Sequence, residues 1–316
     1  MTTACATRTT TDPFLADVLA GLSRPQKRLP SKYFYDAVGS RLFDRITELA
    51  EYYPTRTELA IVRARAAAMA ERCGPRCLLI ELGAGSLVKV RLLLDRLDRP
   101  AGYVPVDVSG DHLWSAAREL VADYPGLGVY PVVADFTRPF DAPPVPAGRR
   151  VVYFPGSTIG NFDPAEADDL LRRVARLVGP GGGLLLGLDL RKDVAVLEPA
   201  YNDARGVTAA FNRNLLVRIN RELGGDFDAA AFRHRAFYNR ERGRIEMHLV
   251  SAADQRVRVG GATFPFRAGE SIHTENSYKY DAAEFARRAA GCGLRADETW
   301  TDENGYFAVL YLTAVG

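Results

Sequence analysis

The sequence predicts a doubly wound α/β domain around a mostly parallel sheet, joined to a second α+β part. Three observations predict it. First, apolar runs recur at 78–83 (LLIELG), 103–108 (YVPVDV), 129–134 (VYPVVA), 150–154 (RVVYF) and 184–190 (LLLGLDL). Second, helical patterns lie between several of them, and uninterrupted apolar strands separated by helices are buried on both faces, as in parallel sheets. Third, the texture after Leu190 changes to a long helical stretch followed by strands with tight turns.

Taken in order, a helix precedes the first strand. Thr55 and Glu58 have capping-box spacing, and Leu59, Val62, Ala66, Met69 and Cys73 follow at helical intervals. Cys73 therefore falls on the apolar face, where a buried structural thiol is expected. After the first strand, Val90, Leu93, Leu94 and Leu97 share one helical face, and Leu170, Val174 and Leu177 repeat the pattern later. Residues 197–222 read as one helix. Segments 232–239, 243–251, 255–259 and 271–280 read as strands of an antiparallel sheet, with turns at Arg242-Gly243 and Gly260-Gly261. A helix from Ala282 to Ala290 and a strand at 306–314 then return to the first sheet. The division expected is 57–192 plus 281–316 for the sheet domain, and 10–56 plus 193–280 for the other.

Composition narrows the function. The 316 residues are 47% hydrophobic and 25% charged, within the usual range for a globular protein. A net charge of +2 argues against nucleic-acid binding. Of 41 basic residues only five are lysines, at 27, 32, 89, 192 and 279, a skew that fits a GC-rich genome. No apolar run approaches the roughly 18–20 residues of a membrane helix, and the N-terminus lacks the apolar stretch of a secretory signal. Cysteines at 5, 73, 77 and 292, with His112, His234, His248 and His273, show no metal-ligand spacing. The expectation is a cytoplasmic, metal-free monomer without nucleic-acid or membrane partners, acting on a small molecule.

The run E-L-G-A-G-S at 81–86 ends the first strand and opens a helix. Gly83 and Gly85 allow a tight turn and close approach of a ligand to the backbone. Val88 stands where a dinucleotide fingerprint requires glycine or alanine, which weakens a pyrophosphate cofactor and a nicotinamide oxidoreductase. Asp107 ends the second strand, 24 residues beyond Gly83, where an acid accepts from ribose hydroxyls. Asp135 and Phe136 end the third, suited to an adenine amine and ring face. Lys89 sits near a helix N-terminus, where a bound anion would compensate it. Adenosine with an anionic tail and no pyrophosphate describes S-adenosylmethionine. GSTIG at 156–160 is not a nucleophile elbow, because its serine comes one position early.

The runs KYFYDAVGSRLFD (32–44), EYYPTRTE (51–58), ELGAGS (81–86), GSTIGN (156–161) and AYNDARGVTAAFNRN (200–214) are similar to those of the histidine-specific N-methyltransferases of ergothioneine biosynthesis. The resemblance extends from about residue 20 to the C-terminus. It implies a class I, Rossmann-like methyltransferase domain with an α+β substrate-binding domain, and three successive methylations of the α-amine of L-histidine to give trimethylhistidine (hercynine). It also implies that Gly83, Lys89, Asp107, Asp135 and Phe136 bind S-adenosylmethionine. Tyr52, Asn161, Tyr201, Met247, Glu275 and Ser277 would bind histidine, with Tyr35, Phe43 and Asn161 positioning the amine.

These residue types suit that chemistry. Asn161 follows the fourth strand, at the carboxyl edge where ligands of open α/β folds sit, and its amide both donates and accepts. Tyr201 can donate to a carboxylate. Tyr35 and Phe43 offer ring faces to a cation that loses N–H donors with each methylation. Glu275 and Ser277 are two apart on a strand, hence on one side of it. A carboxylate accepts from an imidazole N–H, and a hydroxyl serves the other nitrogen. Tyr52 completes that end, and Met247 supplies an apolar wall. The alternatives are N-methylation of another amino acid or aromatic amine, and a non-catalytic S-adenosylmethionine-binding module.

Overall fold

The computed structural model describes residues 12–85 and 87–316. Residues 1–11, with Cys5, and Ser86 of the ELGAGS run lie outside the described residues, as does the side chain of His112. In chain order the helices are α1 (Pro13–Leu22), α2 (Ala37–Thr47), α3 (Tyr53–Cys73), α4 (Leu87–Leu94), α5 (Gly110–Asp123), α6 (Pro164–Val178), α7 (Val194–Leu197), α8 (Val207–Leu223) and α9 (Ala282–Ala290). The strands are β1 (Lys27–Arg28), β2 (Cys77–Leu82), β3 (Gly102–Asp107), β4 (Val132–Val133), β5 (Arg149–Phe154), β6 (Gly183–Asp189), β7 (Phe232–Asn239), β8 (Arg244–Ser251), β9 (Gln255–Val259), β10 (Ala262–Phe266), β11 (Ser271–Tyr278), β12 (Leu294–Thr301) and β13 (Phe307–Ala314).

The chain forms two compact units: 1–42, 206–236 and 246–275 make the first, and 43–205, 237–245 and 276–316 the second. Residues 43–56 and 193–205 thus group with the large sheet. That sheet has seven strands in the order β12-β13-β6-β5-β2-β3-β4. Its five members from β6 to β4 are parallel, while β13 runs antiparallel to β6 and β12 antiparallel to β13. This is the expected doubly wound α/β architecture with an antiparallel edge.

Both faces of the sheet are covered, which is why its strands read as unbroken apolar runs. On one face Leu78, Ile80, Val152, Phe154, Leu184 and Leu186 pack with Leu170 and Val174 of α6 and Phe285 of α9. On the other, Leu79, Val151, Tyr153 and Leu185 pack with Val62 and Met69 of α3 and Val90 and Leu93 of α4. Cys73 is buried in that second layer, as its place on the helical face predicts.

Several expectations need correction. The helix expected over 197–222 is broken: α7 and a single 3-10 turn at Pro199–Tyr201 precede α8, and Gly206, at φ 68°, reverses the chain between them. A non-glycine residue would resist that conformation. Thr55 and Glu58 form no capping box, because α3 already starts at Tyr53, with Tyr52 as its cap and Pro54 in its first turn. The strand expected over 129–134 pairs only at Val132–Val133, apart from one bridge at Val129. Strands β10 and β12 were not expected. In both, polar and small residues alternate with apolar ones on a strand exposed on one side.

The first unit holds α1, α8, β1, the β9–β10 hairpin and most of the sheet ordered β1-β11-β8-β7. Asp36 ties its N-terminal segment to α8 by accepting from Asn214 Nδ2 at 2.8 Å and Arg221 Nη2 at 2.6 Å. Gly39 donates its backbone N–H to the same carboxylate, and a β-carbon at Gly39 would overlap the Phe34 carbonyl. Burial alone would raise the Asp36 carboxyl, but these bonds outweigh it and hold it below the ordinary range.

Candidate functional site

At the carboxyl edge of the second unit's sheet, β2, β3 and β4 end side by side. Gly83 and Ala84 both donate to Val106 O, at 2.9 and 3.2 Å, fixing the glycine turn against the end of β3. Gly83 has φ 73°, and a β-carbon there would sit 3.7 Å from the Phe136 ring. Glycine is thus favoured by its backbone angle, while a β-carbon would only touch the Phe136 ring at ordinary contact distance. Phe136 is held edge-on by Phe154 (5.5 Å) and Phe162 (6.3 Å). Asp107 closes a turn by accepting from Ser109 N at 2.8 Å, and Asp135 accepts from Thr137 N at 2.9 Å. Gly83, Asp107, Asp135 and Phe136 are therefore brought to one edge. A small turn, a ring face and two acids at adjacent strand ends fit an adenosine-type cofactor.

Lys89 meets a partner that the sequence did not suggest. Its ammonium pairs with Glu58, and the same carboxylate accepts from Gly156 N at 2.9 and 3.0 Å. Glu58 is buried on α3, and a β-carbon at Gly187 would overlap its carboxylate. One acid thus ties the helix after the glycine turn to the start of the GSTIGN run. Nearby Glu81 is fully buried and accepts from the Tyr103 hydroxyl. Burial pushes its carboxyl up to about 8, against the opposing influence of Tyr103 and Lys89, so it is mostly protonated at neutral pH.

The GSTIGN run turns the corner after β5 with Gly156 at φ 75° and Ser157 at φ 55°. Ser157 Oγ accepts the backbone N–H of Asp189 at 2.8 Å. Gly160 lies against the Tyr278 backbone, where a β-carbon would come within 2.9 Å of the carbonyl oxygen. These contacts set Asn161, half-buried at the end of a 3-10 turn, close to the end of β11.

Around Asp189 lies a network that sequence reading missed except for Tyr201 and Ser277. Tyr53 donates its hydroxyl to Asp189 at 2.8 Å, Lys192 donates to Oδ1 at 2.5 Å and Lys279 to Oδ2 at 2.7 Å. Lys279 also donates to Tyr201 Oη at 2.9 Å and Ser277 Oγ at 2.8 Å, and those two hydroxyls are 2.7 Å apart. Burial would raise the Asp189 carboxyl, but Lys279 and Lys192 hold it below its ordinary value. Burial draws Lys192 down to about 8, despite the attraction of Asp189. From Tyr201 an aromatic row runs edge-to-face through Tyr52 (6.2 Å) to Phe43 (6.2 Å).

In the first unit, Tyr35 meets Phe211 edge-on at 5.7 Å, and Met247 is buried in β8. Glu275 lies on β11, two residues before Ser277. The histidines are less scattered than their spacing suggests. His248 and His273 stack at 4.6 Å with planes 9° apart, and with Glu246 they place ligand-type atoms within 4.8 Å of one another. His273 Nε2 donates to the Glu275 carbonyl at 3.0 Å, and His248 bonds Glu246 at 3.1 Å and Ser271 at 3.1 Å. Adjacent strands make this cluster, so chain spacing could not show it.

Burial, reinforced by the neighbouring His248, draws His273 down to about 4. Because that lies below the unfolded value, the unfolded chain binds more protons between pH 6.5 and 4, and stability falls as pH drops through that window. Urea unfolding should lose about 1–3 kcal/mol there, and His273→Gln should flatten the slope. An equal slope in the variant would show that other groups set the acid sensitivity.

A family model described as "Histidine-specific methyltransferase, SAM-dependent" matches residues 14–314. The chain is 46% identical over 298 residues to a histidine N-alpha-methyltransferase of Mycolicibacterium smegmatis, covering 93% of this chain and 92% of that protein. It is 30% identical to ergothioneine biosynthesis protein 1 of Neurospora crassa, over 91% of this chain but 34% of that longer protein. A solved S-adenosylmethionine-dependent methyltransferase from Clostridium acetobutylicum shares the fold, with TM-score 0.50 at 11% identity, covering 87% of this chain and 99% of that one. Among the described residues no helix is long and apolar enough to cross a membrane.

Proposed function

Because the chain belongs to the histidine-specific, S-adenosylmethionine-dependent methyltransferases, we propose that it methylates the α-amine of L-histidine. Three transfers give trimethylhistidine, the first step of ergothioneine biosynthesis. The observation that carries this reading is a histidine-specific family match over nearly the whole chain. In it, 57–192 plus 281–316 form the donor-binding part, and 10–56 plus 193–280 the substrate-binding part.

The bound donor supplies an electrophilic methyl on a sulfonium. Gly83 gives its adenosine room, Asp107 accepts from the ribose hydroxyls, and Asp135 with Phe136 takes the adenine. Lys89, held by Glu58, faces the methionyl carboxylate. In-line displacement needs a neutral amine with its lone pair aimed at the methyl, so positioning is the chain's main contribution. Asn161 orients the head group. Tyr35 and Phe43 present ring faces that hold the amine as its N–H donors disappear, which lets all three transfers proceed. Glu275 accepts from the imidazole N–H, and Met247 and Tyr52 enclose the ring.

Incubation with S-adenosylmethionine and a mixture of amino acids should add three methyl groups to histidine, as read by mass spectrometry. Product that stops at monomethylhistidine under excess donor contradicts the reading. Glu275→Ala should lose roughly 1.5–3 kcal/mol of a charge-assisted bond, a ten- to hundredfold drop in kcat/KM carried mostly by KM. Donor affinity should be preserved, and relative activity toward amino acids without an imidazole should rise. An unchanged kcat/KM for histidine removes Glu275 from the site.

A further inference from the structure

We propose that Asp163 is a positioning residue for the methyl transfer, which holds Asn161 in place and is itself held by Arg244, Asn276 and Tyr278. The inference rests on the methyltransferase reading above, in which Asn161 orients the head group. Only two extended residues, Phe162 and Asp163, separate Asn161 from α6. Asp163 caps that helix and donates its backbone N–H to Glu166 at 2.9 Å. A cap needs no contact beyond its own helix end. Yet Asp163 Oδ1 also accepts from three side chains on other elements: Arg244 Nη1 at 2.9 Å, Asn276 Nδ2 at 3.1 Å and the Tyr278 hydroxyl at 3.1 Å. The same Arg244 nitrogen donates to Tyr278 Oη at 2.7 Å, and its guanidinium lies over that ring, 5.1 Å from the centroid. Arg244 and Asn276 are both buried.

The placement gives this convergence a use. Asn276 and Tyr278 lie on one side of β11, and Ser277, a proposed substrate contact, lies between them on the other. On the near side of Asn161, Gly160 rests against the Tyr278 backbone. The chain on either side of Asn161 is thus anchored to the strand that carries Ser277, by the backbone at Gly160 and by the carboxylate at Asp163. Desolvating Arg244 offsets much of its attraction to Asp163, so the pair contributes little net stability. What it does fix is a geometry. In-line transfer depends on that, because a misplacement of about 1 Å can cost a hundredfold in rate. The Asp163 side chain is 36% exposed, so without Arg244 it still reaches water and the fold survives.

The test is a double-mutant cycle on kcat/KM for L-histidine under saturating S-adenosylmethionine. Asp163→Ala should lower kcat/KM about ten- to thirtyfold, and Asn161→Ala should lower it by at least as much. Added to Asn161→Ala, Asp163→Ala should change kcat/KM by less than about twofold, because the group it positions is gone. Asp163→Asn keeps an acceptor for Asn276 and Tyr278 and should recover most of the loss. Arg244→Met should lower kcat/KM about three- to tenfold, and that loss should likewise vanish in Asn161→Ala. It keeps the proposal open to test if Asp163→Ala fails to fold. Equal losses from Asp163→Ala in the two backgrounds would overturn the proposal and leave Asp163 a helix cap. So would an Asp163→Ala protein within about twofold of wild type, or a smaller loss from Asn161→Ala than from Asp163→Ala. Wild-type protein that transfers no methyl group to histidine overturns the functional reading itself, a result distinct from failure of Asp163 alone.

Discussion

Asp189→Ala is expected to lower the unfolding free energy by about 3–5 kcal/mol, because it leaves two ammonium groups inside the protein with no carboxylate between them. The cost is larger than the pair was worth. Burying three ions is itself expensive, and removing the shared acid leaves that expense without its compensation. The Tyr53 hydroxyl also loses its acceptor. The pH dependence should carry the signature. Burial already draws Lys192 down to about 8, and without Asp189 it should titrate lower still. A lysine whose folded pKa lies below its unfolded value favours the folded state only as it loses its proton. The penalty should therefore shrink as pH rises from 7 toward 10. Asp189→Asn, which keeps an acceptor without the charge, should fall between variant and wild type. Urea unfolding of Asp189→Ala within 1 kcal/mol of wild type at pH 7, with no pH dependence of the difference, would mean that the lysines find water instead.

The sheet was legible because burial on both faces leaves a local trace: LLIEL, YVPVD and LLLGLDL carry no alternation to confuse with anything else. Helix α9 was legible to the residue, since Asp281 caps it and Gly291 ends it. The break at Gly206 was not, because AYNDARGVTAAFNRN has no proline and its glycine is compatible with a helix at about 1 kcal/mol. The glycine turn and the acids at the strand ends were visible from strand order alone. The Asp189 network was not, since it joins residues from 53 to 279 that only topology brings together. One compositional signal pointed toward it. In a chain whose cations are almost all arginine, Lys27, Lys89, Lys192 and Lys279 all sit in ion pairs with side chains at most 14% exposed. Lysine persists where a compact three-donor ammonium is needed in a small buried space. Rare lysines in such a sequence are thus pointers to buried networks.

Glu58 gives the second large effect, and one that separates stability from binding. Glu58→Ala should cost about 3–5 kcal/mol, because Lys89 loses its partner and Gly156 N loses its acceptor in the same buried space. A cavity beside Gly187 adds to the loss. Glu58→Gln is the more informative change. Its amide oxygen can still accept from Gly156 N, so the GSTIGN corner keeps its anchor, while the negative charge facing Lys89 is gone. The apo protein should be destabilised, since a partly buried ammonium is left without an anion. An anion bound at Lys89 then has more to gain. If the donor's methionyl carboxylate takes that place, S-adenosylmethionine should stabilise Glu58→Gln by a larger thermal shift than wild type at equal ligand excess. Methylthioadenosine, which has the adenosine and no carboxylate, should shift the two proteins equally. A smaller shift by S-adenosylmethionine in the variant would mean that Glu58 and Lys89 form a purely structural pair. The anionic tail of the donor would then be held elsewhere.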